Sequence, residues 1–100
     1  MTARIYTVSY DALKILQGLA YWSAEESYQI EYNSSDAHEL ERITKTIHCL
    51  FAECDRERIA PLLVNQALYF GSCWRVYRTR YFTEWAKSRG IIINVAGVSA

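Results

Sequence analysis

The most regular hydrophobic pattern in the chain lies between residues 35 and 54. Leu40, Ile43, Ile47, Leu50, Phe51 and Cys54 recur at helical spacing, while Glu41, Arg42, Lys45, Thr46 and Glu53 fall between them. At about 100° per residue this is an apolar stripe opposite a polar face, as in an amphipathic helix. Asn33-Ser-Ser-Asp36 reads as a turn ahead of it, and Asp36 with Glu39 has capping-box spacing. Glu41 and Lys45 stand in the favourable i,i+4 order. A second helix is expected over 9–24, with Ser9 as N-cap and Asp11 in its first turn. Ala12, Ile15, Leu16, Leu19, Ala20 and Trp22 share one side of it. Tyr10, Lys14, Gln17 and Tyr21 share the other.

The third helix is expected over 59–89. Pro61 suits a first turn, where its missing N–H leaves nothing unpaired. The segment from Ile59 to Phe70 is apolar on most sides and should run through the middle of the fold. Gly71-Ser72 is a place for a kink. Gly90 suits the left-handed position that closes a helix, and Lys87 and Arg89 suit the negative end of its dipole.

Three short strands complete the reading. Residues 3–8 are rich in β-branched side chains, and 91–96 form a short buried run. Residues 27–33 admit two readings. Ser23-Ala-Glu-Glu26 has the form of a capping box, which suits another helical turn. Tyr28, Ile30 and Tyr32 alternate with Gln29 and Glu31, which suits a strand. The strand is preferred, because a continued helix would turn Glu26 toward the apolar side. The expectation is an α+β, mainly helical fold in one domain over 1–100, with a sheet joining its two ends.

Charge changes the picture through its distribution. The formal net charge is zero, so nothing general points to nucleic acid or an anionic surface. Residues 74–100 nevertheless hold five basic side chains and one acidic, or +4, against six basic and ten acidic, or −4, in residues 1–73. Aromatics are 14% of the chain, and tyrosine and tryptophan suit surfaces that are part wet and part buried.

Candidate chemistry is sparse. Cys49, Cys54 and Cys73 share no CxxC spacing, and an odd count argues for free thiols in a reducing, cytoplasmic setting. No leader-like apolar core opens the chain and no run approaches a membrane span. Cys54 belongs to the apolar stripe, Cys49 faces nearly the opposite way and His48 lies on a flank. They cannot converge on a metal from one helix. No GxSxG, HExxH, GxGxxG or P-loop pattern occurs. No enzyme, cofactor, small-molecule substrate or membrane partner is expected.

One stretch stands out: Trp74-Arg-Val-Tyr-Arg-Thr-Arg-Tyr-Phe-Thr-Glu-Trp85. On a continuous helix Trp74, Tyr77, Tyr81 and Trp85 form one stripe. Arg75 and Arg78 lie on one shoulder, with Arg80 and Lys87 on the other. Trp74 and Tyr77 are expected in the core, and Tyr81 and Trp85 beyond it as contact residues. An aromatic patch rimmed by arginine is the usual composition of a protein interface. The expected partner-binding residues are therefore Arg75, Arg78, Arg80, Tyr81 and Trp85, together with Tyr10, Lys14, Gln17 and Tyr21. The functional expectation is a small regulator or inhibitor that binds another protein stoichiometrically and pairs with itself as a homodimer. The alternative is a nucleic-acid-binding regulator using the Arg/aromatic helix 74–89.

Overall fold

The computed structural model describes residues 3–33, 35–74 and 79–97, without the side chains of Trp74 and Thr79. The chain runs β1 (Arg4–Val8), α1 (Tyr10–Tyr32), α2 (Ala37–Arg56), α3 (Pro61–Trp74), a 3-10 turn (Thr79–Tyr81), α4 (Phe82–Ser88) and β2 (Ile91–Val95). It is mainly helical, with a small sheet joining the two ends of the chain, as the pattern implied. β1 and β2 pair in parallel, with Arg4 opposite Ile91 and Val8 opposite Val95. Parallel pairing needs a long crossover, and here all four helices supply it.

Helix ends follow local chemistry. Ser9 Oγ accepts the Ala12 N–H at 3.0 Å, and Asp36 Oδ1 accepts the Glu39 N–H at 3.1 Å. α2 closes through Arg58, which takes a left-handed φ of 53° so that the Ile59 N–H can reach the Cys54 carbonyl at 3.0 Å. Gly90, at φ 80°, closes α4 as expected.

α1 is the centre of the packing, with α2 and α3 both laid along it. Its buried side presents Leu16, Leu19 and Ala20. Ile43, Ile47 and Cys54 of α2 and Leu63, Ala67 and Phe70 of α3 join them in one cluster. Phe82 and Ala86 of α4 and Ile91 of β2 close it near the sheet. Buried Ser23 keeps its hydroxyl satisfied by donating to the Leu68 carbonyl at 3.0 Å.

Two expectations are corrected. Residues 27–33 are not a strand: α1 continues to Tyr32, and Asn33 caps it by donating its N–H to the Gln29 carbonyl. Glu26 does not face the core. It lies half-buried on the α2 flank, where the Thr44 hydroxyl donates to its carboxylate at 3.4 Å. The second correction concerns 59–89, which is not one helix. α3 ends at Trp74, and a 3-10 turn and the seven-residue α4 follow after residues 75–78. Gly71, where the sequence offers a place for a kink, is a helical residue of α3 at a close approach to α1. A Cβ built there would collide with the Ala20 carbonyl oxygen and lie 2.9 Å from Ser23 Cβ.

Candidate partner-binding surface

Because α1 is one helix of 23 residues, its outward face is longer than the sequence pattern suggested. Tyr10, Lys14, Gln17 and Tyr21 recur at helical spacing, and Tyr28 and Tyr32 continue the same line. All four tyrosines are exposed, at 57%, 38%, 42% and 61% in chain order, while Gln17 is half-buried. Lys14 Nζ stands 5.1 Å from the centroid of the Tyr10 ring. Tyr21 meets Trp22 edge to face at 5.2 Å, and Tyr28 and Tyr32 lean together at 5.0 Å. Ile30, at the same end of the helix, is 57% exposed. Sequence reasoning missed Tyr28 and Tyr32 as members of this face. The signal was present in their seven- and eleven-residue offsets from Tyr21, but the period-two reading of 27–33 hid it.

α2 holds α1 in place from its flank. Arg42 donates from Nε and Nη2 to the Glu39 carboxylate and lies 5.5 Å above the Trp22 ring. The guanidinium thereby holds the Glu39 carboxyl below the ordinary carboxylate range, chiefly through those hydrogen bonds. On the buried side of α2, removal from water pushes the Cys54 thiol up, and the nearby Asp55 and Glu53 carboxylates add to this. Cys49 is exposed.

Of the second expected group the structure describes Arg80, Tyr81 and Trp85. Arg75, Arg78 and Tyr77 lie outside the described residues, as does the side chain of Trp74. Arg80 lies over the Tyr81 ring at 4.9 Å and donates to its hydroxyl oxygen at 3.0 Å. Tyr81 is 38% exposed. Trp85 is half-buried against the core, 5.1 Å from Phe70 and 6.2 Å from Phe82 between ring centroids. Arg89 covers the outer side of this cluster, 5.0 Å from Trp85 and 5.1 Å from Tyr69. Tyr69 is a further exposed aromatic that the sequence reading passed over.

Among the described residues no three His, Cys, Asp or Glu side chains converge where a metal could be held. No helix among them is long and apolar enough to cross a membrane. The chain matches no protein-family model, and no curated protein or solved structure matches it.

Proposed function

We propose that this chain is a non-enzymatic protein-binding domain, a small regulator or inhibitor that works by occupying a partner's surface and pairs with itself. The observation that supports this best is the row of four exposed tyrosines on α1, with Lys14 and Gln17 among them. Tyrosine brings large contact area with few rotatable bonds, so little entropy is lost when it is fixed against a partner. Its hydroxyl lets the same side chain remain in water when unbound. A helix already held by α2 and α3 presents the row without further ordering, which lowers the cost of association. The mixed aromatic and polar character fits a groove lined with apolar side chains and rimmed by hydrogen-bonding groups.

The test compares what wild type and a Tyr21→Ser/Tyr28→Ser variant retain from native host lysate, with helical circular dichroism as the check on folding. Proteins held by wild type at moderate salt and lost by the folded variant are the expected result. Identical retention by both would remove α1's outward face as the binding surface. A retained species that is nucleic acid, released steeply by added salt, would replace this reading with the alternative.

A further inference from the structure

Among the described residues the sheet leaves one edge open, and its hydrogen-bonding groups are arranged to match a copy of themselves. The Arg4 N–H donates to the Gly90 carbonyl at 2.9 Å, and the Ala96 N–H donates to the Val8 carbonyl at 2.7 Å. These two bonds fix the phase of the ladder. In an extended strand alternate residues turn their N–H and C=O to the same side. Arg4, Tyr6 and Val8 therefore point toward β2, and Ile5 and Thr7 point away from it. Among the described residues no backbone hydrogen bond outside the ladder reaches Ile5 or Thr7.

The two edges of the sheet are not equivalent. α4 packs along β2, whose first residue, Ile91, is buried. Among the described residues β1 has no such cover: Arg4 and Thr7 are exposed and Ile5 is 65% exposed. Of the devices by which free edges are kept from pairing, the five-residue strand carries one charge, Arg4, and neither proline nor inward charge. A sheet of two strands is only marginally stable by itself, and further strands strengthen it.

We propose that β1 pairs antiparallel with β1 of a second copy about a two-fold axis at Tyr6, giving a four-stranded sheet in the order β2-β1-β1-β2. Ile5 then stands opposite the copy's Thr7, and Thr7 opposite the copy's Ile5. Both are hydrogen-bonded pairs, so the outward N–H and C=O of both residues find partners in both chains. A second copy is the fitting occupant because the outward groups are symmetric about Tyr6 and a two-fold axis maps them onto themselves.

The same pairing also brings Arg4 toward a groove of mixed charge. Arg4 is brought opposite the copy's Val8, and Val8 lies along a groove that also holds Glu57 and Arg58. Neither Arg4 nor Glu57 has an ion pair among the described residues, so the pairing leaves each Arg4 to turn toward the copy's Glu57, beside the like-charged Arg58. A five-residue strand buries less than the roughly 1,200 Å² of a strong interface. The dimer is therefore weak and concentration-dependent. It gives the self-association in the proposed function a surface of its own, made of backbone rather than of the α1 tyrosines, so the two fail separately.

Sedimentation equilibrium from about 10 µM to about 1 mM, a span that brackets weak association, tests it. Wild type is expected to pass from monomer to dimer. Thr7→Pro removes one outward N–H per chain while sparing the ladder to β2, and should weaken the dimer roughly ten-fold or more. Helical circular dichroism should not change. If that variant loses its helical signal, Thr7→Lys decides in its place, because it leaves the backbone donors intact and crowds the edge with charge. Arg4→Glu and Glu57→Lys should each weaken the dimer, and the two together should restore it. Tyr21→Ser/Tyr28→Ser should leave it unchanged. A monomer throughout, or a dimer indifferent to the β1 variants, overturns the proposal. So does a dimer lost only with the tyrosines.

Discussion

Two glycines inside helices separate local propensity from tertiary fit. Gly18 lies in α1 and Gly71 in α3, and on propensity alone alanine at either should stabilise the helix by about 1 kcal/mol. At Gly18 a Cβ would meet only Leu50 Cδ1 and Cδ2, at 3.7 and 3.8 Å. That is ordinary contact, so Gly18→Ala should gain about 0.5–1 kcal/mol, or a few degrees in melting temperature for a domain of this size. At Gly71 the same methyl would overlap the Ala20 carbonyl oxygen and lie 2.9 Å from Ser23 Cβ. Both neighbours belong to a helix core and cannot swing aside as a flexible side-chain tip could.

To restore contact at about 3.5 Å, α1 and α3 must part by on the order of 1 Å. That gap would loosen Leu16, Leu19 and Ala20 against Leu63, Ala67 and Phe70 and stretch the Ser23–Leu68 hydrogen bond. Overpacking of this kind costs about 1–3 kcal/mol and more where backbone must move, which outweighs the propensity gain. Gly71→Ala should therefore lower the melting temperature by roughly 10 °C or more, or prevent folding. Urea titration of both variants beside wild type measures the difference. Equal shifts in the same direction, or a Gly71→Ala protein more stable than wild type, would refute the close approach of α1 and α3.

Other substitutions test the remaining packing. Trp85→Ala should cost about 3 kcal/mol of stability, since the ring is packed against Phe70 and Phe82; a variant that melts like wild type would show it to be a surface residue. Gln66 Oε1 is buried on α3 with no hydrogen-bond partner among the described residues, so Gln66→Met should raise stability by about 1 kcal/mol in the same titration. Arg58 holds a left-handed φ of 53°, and Arg58→Gly should gain up to about 1 kcal/mol by removing that strain. A thiol reagent should label exposed Cys49 in the native protein well before buried Cys54. Because the folded state pushes the Cys54 thiol upward, its contribution to stability is full below the ordinary thiol value of about 8.5 and is lost as pH rises through the folded one. Melting temperature at alkaline pH, compared between wild type and Cys54→Ala, reads that loss directly.

Much of the fold follows from local pattern. The stripe from Leu40 to Cys54, the caps at Ser9 and Asp36 and the left-handed Gly90 are set by interactions within a few residues, where spacing and side-chain chemistry suffice. The α1 face at Tyr10, Lys14, Gln17 and Tyr21 was legible for the same reason: a helix's period assigns its two sides. Its extension to Tyr28 and Tyr32 was not, because the five residues from Tyr28 to Tyr32 alternate apolar and polar and suit a strand until, among the described residues, no strand is there to pair with them. Glu26 was misplaced by the same limit, since one helix cannot show that Thr44 of another will meet its carboxylate. The sequence marked Gly71 as a weak point in a helix, whereas the packing makes it the point of closest approach between two. Trp85 likewise became part of the core only when α4 folded beside Phe70. Pattern along the chain decides which side of an element is apolar, but only the neighbouring elements decide which apolar and polar groups are covered, because burial depends on what arrives from far away in sequence.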